Sequence, residues 1–268
     1  MIILVVLSSC VTKSGNISKY EVIEAQIPVT YYGTVDGVYL GYQIAPHNVA
    51  LKARESFYSY RKTRNESELK YALFLTEYLI STATLQKNGS FIIWQYSFEW
   101  PPYNISREWT GSLAQAGSLK VFLLAYQATG DKRYLEFAEK ALAAFEVEVS
   151  QEGLLVLRNN NFYWYPEYAI ESPPFVLNGF ITTLLWIKEY HDTTGNMAAK
   201  KLYDEGMQSL IHYLPDYDMG NWSYYDALGH RASEHYHRMH VEQMLSLYKL
   251  TGERIFLEYH ERWKKGLR

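Results

Sequence analysis

Segment 162–178, FYWYPEYAIESPPFVLN, combines residue types that could bind a sugar and move a proton. Its acidic and phenolic pair, Glu167 and Tyr168, follows the aromatic residues Tyr163, Trp164 and Tyr165. An aromatic ring offers an apolar face, and tyrosine adds a polar hydroxyl, so these rings are candidates to stack a pyranose. A carboxyl group desolvated among rings has a raised pKa and becomes a better general base. Half-buried packing of the same residues is the equally simple alternative.

Asn178 stands one turn into the apolar run that follows this segment. Pro173 and Pro174 predict that the run begins as a helix, because proline suits the first helical positions. An amide at that place would face the same mouth as Glu167. We therefore predict Asn178 as a substrate contact.

Two other segments carry similar chemistry. Segment 91–119 has three tryptophans among polar residues and a glutamine at the start of a helix; the predicted sugar contacts are Trp94, Trp100, Trp109 and Gln115. A packed loop is the structural alternative.

Segment 216–243 is richest in phenols and cations. Its phenols, which include Tyr224, Tyr225 and Tyr236, could move protons, and the predicted holders of an anionic substrate are Arg231, His237, Arg238 and His240. His237 and His240 share a helical face. Without a second ligand type such as cysteine, and without H-E-x-x-H, this spacing does not indicate a metal site, and we expect neither a metal nor another cofactor.

The elements that position these segments are helical. Four copies of a helix–turn–helix unit recur, with Asn65, Gly130, Gly195 and Gly252 after the first helix of each. The predicted pairs are 47–62 with 66–85, 110–128 with 131–149, 174–192 with 197–214, and 234–249 with 253–266. Short turns then lie at one end of the bundle. The long connectors 86–109, 150–173 and 215–233 lie at the other, where sites tend to be built. The prediction is all-α, an incomplete α/α toroid.

Composition limits the function. The chain has 268 residues, a net charge of −3, 25 tyrosines and 7 tryptophans. With no basic block, nucleic-acid binding has no support. These numbers suit a globular protein with an aromatic cleft.

The N-terminal region reads as a leader and an extension. Residues 1–10 pair a short apolar run with Leu7-Ser8-Ser9-Cys10, a lipobox-like sequence, so we expect export to the cell envelope and a lipid anchor at Cys10. Residues 11–45 form an extension whose end, 31–43, predicts a β-hairpin. Residues 46–268 form the helical domain. No later stretch is apolar over the length of a membrane span.

Several motifs resemble the C-terminal helical domain of the D-glucuronyl C5-epimerases. The resemblance is carried, from about Trp109 to Trp263, by SPPFVLNGF, KKLYDEGMQSLIHYLPDYDMG, YYDAL and YHRMHVEQMLSL. It implies an α/α barrel that converts D-glucuronate to L-iduronate within a polysaccharide. Animal members of the family dimerise, so the resemblance allows a homodimer.

The resemblance also assigns roles. The family motif Trp-Tyr-x-Glu-Tyr matches 164–168, which implies that Glu167 and Tyr168 are catalytic, while Tyr225 and Tyr236 match its remaining tyrosines. The family's Tyr-Asp-Leu motif matches Tyr225 and Asp226, but Ala227 then precedes the leucine. The arginine that follows this motif in the family is replaced here by a segment ending in Arg231. We expect Glu167 and Tyr236 to face each other across the sugar, with arginine or histidine cations lowering the tyrosine pKa.

Three other functions fit the same residues. A polysaccharide lyase shares the proton abstraction, a toroidal glycoside hydrolase could use Glu167 with Asp226, and a lipid-anchored protein could bind glycans without turnover. Without the resemblance, composition and spacing leave these nearly equal to an epimerase. In each case the partner is a glycan that contains a uronate.

Overall fold

A computed structural model describes residues 27–86, 89–159 and 161–267. The predicted leader 1–10, Cys10 and most of the extension lie outside these ranges, so the predictions of export and of a lipid anchor stay predictions. None of the described helices has the length and apolar character needed to cross a membrane.

The described residues form eight α-helices in four antiparallel pairs, as the repeats predict. They are α1 (Pro46–Thr63), α2 (Glu66–Thr82), α3 (Ser112–Thr129), α4 (Arg133–Ala143), α5 (Leu177–Thr194), α6 (Met197–Tyr213), α7 (Glu234–Thr251) and α8 (Arg254–Trp263).

The odd-numbered helices form an inner layer, and each carries its partner on the outside. Helix α1 packs on α3, α3 on α5 and α5 on α7, while α2, α4, α6 and α8 each pack on the helix before them. Among the described contacts α1 and α7 do not pack as neighbours, so the layer is an open arc. Because each hairpin returns on itself, all four inner helices run in the same direction, and their N-termini lie at the connector end.

Left-handed residues end the first helix of each pair. Gly130, Gly195 and Gly252 have φ near +74°, +72° and +75°, as predicted for C-terminal caps. In the first pair the prediction was wrong by one residue, because Arg64 adopts the left-handed conformation with φ of 58°. Asn65 instead starts α2, and its side chain accepts a hydrogen bond from the amide of Ser67.

Helix α5 begins at Leu177, three residues later than predicted. Phe175 has φ of +54°, which is incompatible with a right-handed helix, so Pro173 and Pro174 lie outside the helix. The carbonyl of Pro174 accepts from the amide of Ala227, and the amide of Leu177 donates to the carbonyl of Tyr225. The entry to α5 is thereby tied to the third connector.

Short antiparallel hairpins decorate the helices. The predicted N-terminal hairpin is present as β1 (Thr30–Val35) and β2 (Val38–Gln43). The other two lie in connectors, as β3 (Thr84–Gln86) with β4 (Phe91–Ile93) and β5 (Val156–Arg158) with β6 (Phe162–Trp164). Strand β3 ends α2 earlier than the sequence predicts, while α4 ends at Ala143 because the chain passes there into a 3-10 turn, Ala144–Glu146.

Replacing Arg64 by glycine should stabilise the protein by about 0.5–1 kcal/mol, because a side chain strains the left-handed conformation. Urea unfolding followed by circular dichroism measures the difference. Lys62→Gly, two residues earlier in the exposed last turn of α1, should instead destabilise by about the same amount. Destabilisation by both changes would show that Arg64 is not strained.

Candidate active site

A pocket of about 310 Å³ opens at the connector end of the inner helices. Its walls come from the N-terminal turns of α1, α3, α5 and α7, from the hairpin and from two connectors. The lining residues are Tyr32, Ala45, His47, Asn48, Tyr96, Phe98, Trp100, Trp109, Leu113, Glu167, Tyr168, Asn178, His235, Tyr236 and Met239. The structure therefore brings six predicted site residues together, namely Trp100, Trp109, Glu167, Tyr168, Asn178 and Tyr236.

Glu167 is the acidic residue among the described pocket residues, and it packs against the backbone at Gly111 and Gly179. Desolvation raises its pKa to about 7, and the neighbouring hydroxyl of Tyr168 counteracts part of that rise. Its Oε2 atom is buried and has no hydrogen-bond partner among the described residues. A group with this pKa exists in both protonation states near neutral pH, so it can take a proton and give it back.

Two close approaches place this carboxylate. A Cβ on Gly179, in the first turn of α5, would collide with Oε2 of Glu167, and a Cβ on Gly111 would collide with the Glu167 carbonyl. The connector can therefore lie directly on α5 and on the start of α3. These glycines were missed from the sequence, because only the tertiary contact shows why a side chain is excluded.

A chain of phenols connects Glu167 with Tyr236. Tyr168 is within hydrogen-bonding reach of both Glu167 and Tyr225, and Tyr225 of Tyr236. The rings of Tyr225 and Tyr236 are 4.7 Å apart. Burial and the nearby Glu167 carboxylate raise the pKa of all three tyrosines. The prediction that cations lower these pKa values was wrong, and the phenols are protonated donors.

Asp226 helps to position the connected phenols from outside the pocket. Its side chain is fully buried, and Oδ2 accepts from the hydroxyl of Tyr103 at 2.6 Å and contacts the His230 ring at 2.7 Å. Oδ1 accepts from the amides of Leu228 and His230. The Tyr103 ring packs 5.0 Å from that of Tyr168. Asp226 is therefore occupied in linking the first and third connectors and does not line the pocket.

The predicted cationic cradle is not at the pocket, and the prediction was wrong. Arg231 lies over the face of Trp222 at 4.1 Å, while Arg238 is exposed and pairs with Glu234 at 2.8 Å. Within the described ranges no arginine or lysine lines the pocket.

His237 and His240 are buried structural groups instead of substrate contacts. Ser223 Oγ lies 2.8 Å from Nδ1 of both rings, and Nε2 of His237 lies 3.0 Å from the carbonyl of Trp263. A carbonyl only accepts, so His237 donates from Nε2 and accepts from Ser223 at Nδ1, and His240 then donates from Nδ1 to Ser223. Burial lowers the pKa of His240 to about 3, so it is neutral.

Five predicted sugar contacts lie outside the pocket. Trp94 and Gln115 are buried and donate to backbone carbonyls, of Leu79 and of Ile92 and Ala141 respectively. Tyr165 is buried and donates to the carbonyl of Leu202. Trp164 stacks on Phe180 at 3.8 Å, and Tyr163, in β6, does not reach the pocket. A buried side chain cannot contact a sugar, and Tyr163 lies away from the pocket, so these predictions were wrong. The alternation of aromatic and polar residues did not reveal which face is inward.

The helix backbones contribute positive potential at the pocket. The N-termini of the four inner helices converge there, and each carries a partial positive charge that favours anions. His47 contributes no charge, because burial, together with the nearby Arg54, lowers its pKa to about 4. No group of three or more His, Cys, Asp or Glu side chains suited to a metal occurs among the described residues.

The family of the chain follows from its sequence match. The model of the D-glucuronyl C5-epimerase C-terminus matches residues 87–265. The chain belongs to this family. It is thereby a member of a family of carbohydrate epimerases, and Glu167, Tyr168, Tyr225 and Tyr236 all lie inside the matched region.

Individual proteins and solved structures are also similar to the chain. An uncharacterised protein of Methanocaldococcus jannaschii is 51% identical over 265 residues, covering 93% of this chain and 86% of that protein. The D-glucuronyl C5-epimerase of Caenorhabditis elegans is 31% identical over 174 residues, covering 58% of this chain but 28% of that enzyme. The cellobiose 2-epimerase of Bacillus thermoamylovorans superposes with a TM-score of 0.61 at 15% identity, over 82% of this chain and 58% of the other. The last likeness confirms the toroidal fold.

The buried imidazole of His240 predicts acid sensitivity. Unfolded histidine binds a proton below pH 6.5, whereas folded His240 resists it down to about pH 3, so stability falls as pH decreases through this window. The slope reaches about 1.4 kcal/mol per pH unit. His240→Phe should be less stable than wild type at pH 7 but should lose less stability between pH 7 and pH 5, measured by urea unfolding. His235→Gln, an exposed control, should keep the wild-type loss; an unchanged loss in His240→Phe would contradict the assignment.

Proposed function

We propose that the chain inverts C5 of D-glucuronate residues within a glycan, giving L-iduronate. The observation that carries this proposal is the shared pocket of Glu167 and Tyr236, one group with a pKa near neutrality and the other a protonated phenol. Inversion requires a base on one face of the sugar and an acid on the other. These two residues are of the right types.

The step removes the C5 proton and breaks the C–H bond. The Glu167 carboxylate accepts that proton, and the electron pair moves into the substrate carboxylate to form an enediolate. Tyr236 then donates its hydroxyl proton to C5 from the opposite face. Glu167 is left as a carboxylic acid and Tyr236 as a phenolate, so the enzyme must be reset before the next turnover.

The phenol chain provides that reset. A proton passes from Glu167 to Tyr168 as Tyr168 passes its own proton to Tyr225, and Tyr225 passes its proton to the Tyr236 phenolate. Each link is a hydrogen-bonding contact described above. Acid and base return to their starting states without a separate solvent molecule.

Neutral donors and helix N-termini would hold the substrate carboxylate and the enediolate. Preorganised donors in a desolvated pocket stabilise developing negative charge strongly. Phenol hydroxyls and the Asn178 amide are among the polar side chains at the pocket. The Asn178 Oδ1 atom is buried without a partner in the described part of the chain, so a sugar hydroxyl would supply the missing donor.

A glycoside hydrolase would need a second carboxylate in the pocket, and the predicted one, Asp226, does not line it. Among the described pocket residues Glu167 is the sole acid, and Asp226 is engaged with Tyr103 and His230. A lyase would share the abstraction step and then expel the substituent at C4. Its unsaturated product absorbs in the ultraviolet, which separates it from an epimerase in the same experiment.

Tyr236→Phe should reduce formation of iduronate from heparosan by at least about 100-fold, because the residue gives the returning proton. NMR of the uronate ring in heavy water measures both the inverted product and deuterium at C5. Tyr163→Phe, which removes a phenol outside the pocket, should retain activity. An unchanged rate in Tyr236→Phe, or an unsaturated product from wild type, would refute the proposal.

Gly179→Ala should lower activity and move its pH dependence. With Glu167 as base, kcat/KM of wild type should rise with pH and level off above about pH 7. The added methyl group pushes the carboxylate away from α5 and toward water, so its pKa falls and the rise should occur at lower pH. The pH profile of deuterium uptake measures this shift, and a loss of activity without any shift would contradict the positioning role.

A further inference from the structure

His47 is a pocket residue to which neither the proton-transfer scheme nor the family match assigns a role. It lines the pocket but lies outside residues 87–265, the region that the family model matches. It stands in the first turn of α1, whose N-terminus lies at the pocket. Asn178 reaches the pocket from α5 and Tyr236 from α7, so His47 approaches the ligand space from a different helix.

Contacts with α3 hold the His47 ring in place. Its Nδ1 atom lies 3.4 Å from the carbonyl oxygen of Leu113, in the first turn of α3. Because a carbonyl only accepts hydrogen bonds, Nδ1 carries the ring proton. Gly117 lies one turn further along α3, where a Cβ would be 4.0 Å from the same nitrogen and 3.3 Å from the Cβ of Ala50. Helices α1 and α3 therefore pack closely at this ring, which limits its rotation.

The His47 ring is neutral and keeps an acceptor atom for a ligand. Desolvation lowers the pKa of His47 to about 4, and the Arg54 cation contributes repulsion. Arg54 is itself buried, and its guanidinium lies 4.1 Å from the centre of the Trp186 ring. With its one proton at Nδ1, the imidazole has a lone pair at Nε2. No described residue donates a hydrogen bond to Nε2, so this atom is available to a bound ligand.

We propose that Nε2 of His47 accepts a hydrogen bond from a hydroxyl group on C2 or C3 of the uronate, and that this contact decides which edge of the sugar faces α1. The inference rests on the proposed function for the identity of the sugar. A uronate linked through C1 and C4 has its free hydroxyls on C2 and C3. Its ionised carboxylate, attached to C5, only accepts hydrogen bonds and therefore cannot bind a neutral acceptor.

The pocket offers a second acceptor of the same kind. Asn178 Oδ1 is buried and has no partner among the described residues. An acceptor that stays unpaired in a desolvated site lowers affinity, so a site built for a hydroxyl rejects a ligand that lacks it. The two acceptors thus favour a pose in which the hydroxyl edge of the sugar lies at His47 and the carboxylate points away from α1.

Calorimetric titration in a background that cannot turn over, Glu167→Gln, tests the contact. The ligands are a heparosan oligosaccharide and two analogues in which hydrogen replaces the C2 or the C3 hydroxyl of its uronates. His47→Phe should weaken binding of the unmodified ligand by about tenfold. One analogue should bind the background protein about tenfold more weakly and should lose nothing further in His47→Phe. His191→Phe is the matched control, because Nδ1 of His191 also contacts a carbonyl, that of Asn196 at 2.9 Å, but at the far end of α5. It should bind all three ligands like the background protein.

Nitrogen NMR of labelled histidine gives a second measurement that leaves His47 in place. The Nε2 resonance of His47 should shift when the unmodified oligosaccharide binds, because a lone pair that accepts a hydrogen bond changes the shielding of its nitrogen. The analogue that lacks the contacted hydroxyl should not produce this shift.

Other results would overturn the inference. Equal weakening of the unmodified ligand and of both analogues by His47→Phe would mean that the ring acts through packing alone. Unchanged affinity in His47→Phe, an Nε2 resonance that ignores the ligand, or no measurable binding of the unmodified oligosaccharide would also contradict it. Because binding is measured without turnover, absence of C5 deuteration in wild type would refute the proposed function while leaving this comparison readable.

Discussion

The pocket depends on keeping the Glu167 carboxylate shielded from water, with no lysine or arginine among the described lining residues. Glu167 lies against two glycines and below a layer of phenols, and its pKa rises because water is excluded. A neighbouring arginine would stabilise the charged form and lower that pKa, which would make the group a weaker base. Under the proposed mechanism, the absence of lysine and arginine from the described pocket lining keeps Glu167 an effective base. Converging helix N-termini supply positive potential diffusely instead.

The connectors act as one unit because polar side chains join them. Asp226 binds Tyr103 of the first connector, and backbone hydrogen bonds join the third connector to the entry of α5. The phenols that reach the pocket are thus fixed by contacts outside it. The inner helices therefore determine where the pocket lies. The connector network determines where the phenol hydroxyls of the pocket lie.

Sequence patterns were sufficient for the parts of the structure that local physics decides. Glycine at a left-handed position ends a helix wherever it occurs, so the hairpins and the connector end of the bundle could be predicted. Family motifs located Glu167 and the tyrosines. The orientation of a residue toward core or pocket could not be read, because a shared helical face, as for His237 and His240, does not say what that face meets. Trp94 and Trp100 stand in the same tryptophan-rich segment, yet Trp94 is buried in the core and Trp100 lines the pocket.

The buried imidazole pair has a consequence for how α8 supports the pocket. Ser223 joins His237 and His240, and His237 reaches on to the carbonyl of Trp263. Helix α7, which carries Tyr236, is thus tied to the end of α8 by side chains that lie outside the pocket. Local opening of α8 should therefore loosen the position of Tyr236 even though α8 contributes no residue to the described pocket lining.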